Sequence, residues 1–142
     1  MKKLMKKRTG FTLVELLIVI IIIGILAGAM LLVAGSGTDK ANATKIVSEM
    51  RSLKAAALMK WADDGNWNFV ETSGVKAQGK VGKYMDRDVD KATVASYDII
   101  SEDGIFVEAS NIIAGAGPKL KIMANDSGIS EDADGNWLMK IK

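Results

Sequence analysis

Apolar residues dominate one stretch near the start of the chain, from Phe11 to Ala34. The stretch reads FTLVELLIVIIIIGILAGAMLLVA and contains a single charged side chain, Glu15. A helix of this length rises ~1.5 Å per residue and would span roughly 36 Å, which is enough to cross a hydrocarbon core of about 30 Å with some tilt. The pattern therefore predicts a transmembrane helix.

The pattern changes after Gly35-Ser36-Gly37, where apolar residues begin to recur at steps of three and four. This spacing predicts an amphipathic helix that buries one stripe and runs to about Ala62, where Asp63-Asp64-Gly65-Asn66 signals its end. The stripe consists of Ala43, Ile46, Val47, Met50, Leu53, Ala57 and Trp61. If this helix continues the apolar one, the two together form a rod about 75 Å long.

The rest of the chain shows short alternating segments separated by turn signals. Residues 66–92 have no sustained period and are interpreted as a loop, whose lysines are solvated, so that no nucleic-acid partner is required. The expected strands are Val94–Ile100, Ile105–Ala109, Leu120–Ala124 and Trp137–Ile141. They would form an antiparallel sheet of three or four strands on the amphipathic helix, which gives an α+β fold.

Four segments follow from these patterns. They are a basic N-terminal segment at 1–10, a transmembrane helix at 11–34, the amphipathic second half of the helix at 35–62, and a loop and antiparallel-sheet head at 63–142; the resemblance described below implies that the first is a leader peptide and the second an assembly helix.

Charge is unevenly distributed along the chain. The net charge of +2 depends on five basic residues among the first ten, where no acid occurs; beyond them, acidic residues outnumber basic ones. A basic flank before an apolar helix places the N-terminus in the cytoplasm and the C-terminus outside. The chain is therefore expected in the inner membrane with a single pass.

The chain contains neither cysteine nor histidine. Disulfides and thiolate chemistry are excluded, and the commonest general base and metal ligand is absent. The sequence also offers no paired nucleophile and base. For these reasons we expect that the protein is not an enzyme.

Three interpretations of the apolar segment compete. It could be a simple membrane anchor, or a secretory signal peptide cut after Ala27-Gly28-Ala29, which fits the small-x-small rule. Against the signal peptide, the apolar run carries Glu15 and continues beyond the proposed cut. A carboxylate in lipid is unfavourable by several kcal/mol, so a plain anchor does not account for Glu15 either.

The third interpretation rests on a resemblance. Arg8-Thr9-Gly10-Phe11-Thr12-Leu13-Val14-Glu15, followed directly by the apolar run, resembles the class III signal of type IV prepilins and type II secretion pseudopilins. The resemblance is close over residues 1–34. It implies that a membrane-embedded prepilin peptidase cleaves after Gly10 and methylates the new amine of Phe11, and that Glu15 is the family's assembly glutamate.

The resemblance also implies a function, which is to serve as the structural subunit of a type IV pilus. The alternative in the same superfamily is a type II secretion pseudopilin, and a non-polymerising membrane-anchored binding domain ranks below both. The implied partners are identical or related pilin subunits, the prepilin peptidase and the inner-membrane assembly machinery. The product would be an extracellular or periplasmic filament.

Physical reasoning adds a role for Glu15 and for two glycines. In a low-dielectric bundle, the Phe11 amine of a neighbouring subunit can neutralise Glu15. Gly24 and Gly28 form a small-xxx-small pair that either permits close helix approach or softens the helix. The family often has a proline late in the apolar segment, where this chain has Leu32.

An acidic segment near the C-terminus is the one candidate metal site. Asp126, Asp132 and Asp134 lie within ten residues, near two glycines. Hard oxygen ligands at short spacing suit calcium, although Asp and Gly are also ordinary turn formers. We therefore expect that the protein has no cofactor, with calcium as the one candidate.

Overall fold

The computed structural model describes residues 10–70, 81–86, 89, 94–101 and 103–142. The leader up to residue 9 and much of the expected loop at 66–92 therefore lie outside the described residues. The described elements, in chain order, are α1 (Leu13–Asp64), a short 3₁₀ turn (Gly82–Tyr84), β1 (Ser96–Ser101), β2 (Ile105–Ser110), α2 (Ala116–Ser127), β3 (Ile129–Glu131) and β4 (Trp137–Lys140). The predicted α+β class is confirmed.

Helix α1 is continuous from Leu13 to Asp64, so the glycines at 35 and 37 do not interrupt it. It ends at Gly65, which adopts a left-handed conformation (φ 69°) and donates its N–H to the carbonyl of Trp61 at 2.8 Å. Glycine is favoured there because it has no Cβ to clash. The predicted end of the helix at Asp63–Asn66 is confirmed.

The chain divides into two compact units, Met1–Ser36 and Gly37–Lys142. In the N-terminal unit, the large apolar side chains from Phe11 to Val33 that the structure describes are all exposed, between 44% and 81%. This part of α1 is long and apolar enough to cross a membrane. A helix that is apolar all round requires lipid or other helices around it.

The core of the C-terminal unit lies between α1 and the sheet. The buried residues of α1 repeat at helical spacing and include Ala43, Ile46, Val47, Met50, Leu53, Ala56 and Ala57. The predicted stripe is confirmed except at its last member, because Trp61 is 41% exposed. Trp61 instead stacks on Trp67, with ring centroids 6.0 Å apart.

One charged residue shares the buried face of α1. The side chain of Glu49 is 5% exposed, and its Oε1 lies 3.9 Å from the ammonium of Lys45. Its Oε2 is buried without a hydrogen-bond partner. Position 49 falls on the apolar stripe because Ile46 and Leu53 lie three and four residues away.

The four strands form one antiparallel sheet in the order β1-β2-β4-β3. Val107 of β2 stands opposite Ile99 of β1 and Met139 of β4, and Met139 in turn pairs with Ile129 of β3. All four side chains are buried, as the two-residue period of a one-sided sheet requires. The predicted strands at 94–100, 105–109 and 137–141 correspond to β1, β2 and β4.

The predicted strand at Leu120–Ala124 is wrong, because this segment lies within helix α2. Pro118 sits in the first turn, where a missing N–H has no cost. Ala116 and Leu120 are the buried residues of the helix and lie four positions apart, which is helical spacing. Gly128 ends it in a left-handed conformation and donates its N–H to the carbonyl of Ala124 at 3.0 Å.

Tyr84 ties the short 3₁₀ turn to the end of α1. Its hydroxyl donates a hydrogen bond to Asp63 Oδ2 at 2.6 Å. This hydrogen bond, with the negative charge beside the phenol, raises the pKa of Tyr84 to about 12, because deprotonation would break the bond and place two anions together.

Gly115 directly precedes α2 as its N-cap residue, at a position where a side chain has no room. Its φ is +91°, and a Cβ built on it would collide with the carboxylate of Asp39 on α1. We expect Gly115→Ala to lower the free energy of unfolding by roughly 1–3 kcal/mol, because it adds both strain and a clash. The measurement is thermal unfolding of the detergent-solubilised chain.

Gly117→Ala is the matched control for this substitution. Gly117 lies in the same helix, and a Cβ there meets nothing within 4 Å. It should leave stability unchanged or raise it slightly, because alanine favours the helix. Equal melting temperatures for the two variants would contradict the proposed close approach of Asp39.

Candidate processing and assembly site

The predicted cleavage junction lies just outside α1. Gly10 and Phe11 precede the first helical residue, Leu13, and both are exposed. A peptide bond outside regular secondary structure can adopt the extended conformation that peptidases require, whereas a helical one must first unwind. The structure thus leaves the Gly10–Phe11 bond accessible, and its cleavage stays a prediction.

Thr12 and Glu15 cap the N-terminus of α1 reciprocally. Thr12 Oγ1 accepts a hydrogen bond from the backbone N–H of Glu15 at 3.2 Å. Glu15 Oε2 accepts one from the N–H of Thr12 at 2.8 Å and another from the Thr12 hydroxyl at 2.7 Å. This is a capping box, in which Thr12 is the N-cap and Glu15 the third helical residue.

The capping box gives Glu15 a local role that sequence reasoning missed. The signal was present, since Thr-x-x-Glu before an apolar run is a signature of a helix start. The carboxylate satisfies a backbone N–H that would otherwise lack a partner and lies at the positive end of the helix dipole. The hydrogen bonds fix the position of the carboxylate but leave its negative charge in place.

Gly24 and Gly28 lie one helical turn apart in the exposed part of α1. A Cβ placed on either glycine would meet nothing within 4 Å. The pair therefore leaves a shallow strip on the helix surface where a second helix could approach closely. Their role in assembly stays a prediction.

The structure separates the three predicted calcium ligands. Asp126 lies on α2, whereas Asp132 and Asp134 lie in the loop between β3 and β4. Asp132 Oδ1 accepts hydrogen bonds from the N–H groups of Asp134 and Asn136, at 2.9 and 2.8 Å. Among the described residues, no three acidic side chains form a group that could hold a metal ion. The loop thus has the hydrogen bonds of an Asx turn, and calcium binding stays a prediction from sequence.

The comparisons with known proteins bear on the N-terminal segment. Residues 5–31 match the family model of the prokaryotic N-terminal methylation motif. Two fimbrial proteins of Pseudomonas aeruginosa are each 47% identical to the chain over 53 residues, which is 37% of this chain. The chain covers 34% of the length of these relatives. No solved structure matches it.

These findings confirm the resemblance to the type IV prepilin family. The methylation motif spans the predicted cleavage junction, Glu15 and most of the apolar segment. The long N-terminal helix and small antiparallel sheet agree with the pilin-like α+β fold expected from that resemblance.

Proposed function

We propose that the chain is a structural subunit of a type IV pilus and has no enzymatic role. The observation that carries the proposal is the methylation motif at residues 5–31, located at the start of the exposed, apolar first half of α1. The similarity to two fimbrial proteins supports a pilus subunit, and a type II secretion pseudopilin is the alternative. An anchor for a binding domain would need neither the motif nor Glu15.

In this proposal, the subunit is first a membrane protein. The apolar part of α1 inserts with its basic flank in the cytoplasm, and the prepilin peptidase removes the leader after Gly10. The amine created on Phe11 is methylated and keeps its positive charge. The assembly machinery then transfers the subunit from lipid into a bundle of the same helices, where helix contacts replace lipid contacts.

Glu15 acts at the transfer step. Its carboxylate is held at the helix start by Thr12, and the new amine of Phe11 lies one residue before Thr12. In the bundle, the Phe11 amine of one subunit neutralises the Glu15 carboxylate of its neighbour. The attraction is stronger there than in water because the surroundings have a low dielectric constant. It therefore selects the axial offset at which the two groups meet.

Processing gives the first test of the proposal. The mature protein should begin with N-methyl-phenylalanine at position 11, because the leader ends at Gly10 and the methylation motif spans this junction. Mass spectrometry of the protein purified from membranes should show loss of residues 1–10 and gain of one methylene group. Gly10→Val should leave the leader attached, because it changes the residue at the cleavage site.

A different terminus would decide between the interpretations. A mature protein that begins at Met30 would establish a secretory signal peptide. An intact, unmethylated Met1 in cells with active prepilin peptidase would establish a simple anchor.

A further inference from the structure

A groove of about 400 Å³ lies beside α1 in the C-terminal unit. Its lining includes Arg51, Lys54, Ala55, Leu58, Gly128 and Met139. The apolar side chains include Leu58, which is 40% exposed although it belongs to the same helix as the core. The groove thus combines an apolar surface with two positive charges, and none of the acidic residues that the structure describes lines it.

The two cations of the groove differ in their contacts. Lys54 Nζ donates a hydrogen bond to the backbone carbonyl of Lys140 at 2.8 Å, so it fixes the end of β4. Arg51 is exposed, and within the described ranges it has no hydrogen-bond or ion-pair partner. A guanidinium of this kind binds a carboxylate through two parallel hydrogen bonds. The groove therefore suits a small apolar group that carries a carboxylate next to it.

The chain itself presents such a group at the tip of the β3–β4 hairpin. Ala133 and Asp134 are adjacent and exposed there. The carboxylate of Asp132 holds the loop by accepting hydrogen bonds from two backbone N–H groups and from the side chain of Asn136. The tip is thus ordered before it meets a partner, which reduces the entropy lost on binding.

The tip and the groove lie at opposite ends of the same hairpin. Ile129 pairs with Met139 at the groove end, whereas the connecting loop carries Asp134. Asp134 lies in the turn beyond the last strand pair, Glu131 with Trp137, and this pair is already two extended residues, or roughly 7 Å, away from Met139. The tip therefore cannot occupy the groove of its own chain, but it can occupy that of another copy.

We propose that the hairpin tip of one subunit docks in the groove of the next, with the Asp134 carboxylate on the Arg51 guanidinium and Ala133 against Leu58. The two surfaces differ, so the contact is heterologous and can repeat without closing, as an open filament requires. This inference rests on the proposed pilus function. The contact is small and orders neighbouring heads only where the N-terminal helices already hold subunits together.

Charge reversal in the full-length chain tests the contact. Arg51→Glu and Asp134→Arg should each lower the number of filaments per cell about tenfold or more, because each places like charges together. The double variant should restore most of the filaments, since it exchanges the two charges. Lys40→Glu and Asp103→Arg are matched controls at exposed positions outside the contact, and both should assemble normally. A blot for processed subunit checks that each variant is made and processed.

Cysteine cross-linking gives a second, independent readout because the chain has no cysteine of its own. A chain carrying both Ala55→Cys and Ala133→Cys should give a ladder of disulfide-linked multimers from oxidised filaments on a non-reducing gel. Ala133→Cys alone, or Ala55→Cys combined with Asp103→Cys, should give none.

Three results would each overturn the inference. They are normal filament counts in both single reversals, an additive loss in the double reversal, and absence of the ladder from intact cysteine-pair filaments. Absence of filaments from cells that express the unaltered, processed chain with a complete assembly machinery would instead contradict the proposed function. The two failures are therefore distinguishable.

Discussion

Glu15→Val should abolish filaments while processed subunit accumulates in the membrane. Removal of a carboxylate from the apolar segment makes insertion easier, and the Gly10–Phe11 junction is unchanged. In the bundle, however, each methylated Phe11 amine would remain buried without its counter-charge. The same penalty recurs at every subunit, so the filament count should fall by an order of magnitude or more. Filaments counted by electron microscopy and processed subunit measured by blot, in the same cells, give the result.

Two substitutions in the capping box test the effect of the Glu15 charge on assembly separately from the effect of its hydrogen bonds. Glu15→Gln keeps an oxygen that can accept from the Thr12 N–H but removes the negative charge. Thr12→Val removes the hydroxyl that caps the helix and keeps the charge. If charge neutralisation drives assembly, Glu15→Gln should fail like Glu15→Val, and Thr12→Val should still form filaments.

The opposite pair of results would contradict the proposal that charge neutralisation drives assembly. Normal assembly of Glu15→Gln together with failure of Thr12→Val would show that Glu15 acts by capping the helix. In both cases the match to the methylation motif at residues 5–31 would stand, because it does not depend on how Glu15 acts.

Removal of residues 1–36 should convert the protein into a soluble monomer that melts cooperatively. The buried apolar residues that the structure describes all lie at Ala43 or beyond, whereas the exposed apolar run ends at Val33. The fragment Gly37–Lys142 is also one of the two compact units. Size-exclusion chromatography and circular dichroism during heating provide the measurement. Aggregation, or a melt without a transition, would contradict this placement of the core.

Two methionines of α1 test which face of the helix is buried in this fragment. Met50 is fully buried, and Met59 is 53% exposed on the same helix. Met50→Ala should lower the free energy of unfolding by about 2–5 kcal/mol, because it leaves a cavity. Met59→Ala should change it by about 0.5 kcal/mol or less. Similar losses for both would show that α1 packs on a different face.

The long helix and its buried face could be predicted from sequence because both depend on local periodicity. The prediction selected positions by residue type, so it excluded Glu49, although that residue stands on the stripe and is buried. It included Trp61 for the same reason, although that side chain lies near the end of the helix and is half exposed. Position on the helix decided burial in both cases.

Helix α2 and the strand order could not be predicted in the same way. A short apolar segment such as Leu120–Ala124 fits a strand or a helix equally well, and only the glycines at 115 and 128 with Pro118 mark a helix there. The position of β4 between β2 and β3 is set by contacts between residues distant in sequence. The Arg51 groove likewise joins α1 to the end of α2 and to β4.

The contact between Gly115 and Asp39 has an evolutionary consequence. Because the carboxylate occupies the space that a Cβ at position 115 would need, a lineage can accept a side chain there only after residue 39 becomes smaller or turns away. Residue 39 can change first, because a smaller side chain there does not affect a glycine at position 115. Descendants should therefore show substitution at 39 without change at 115 more often than the converse.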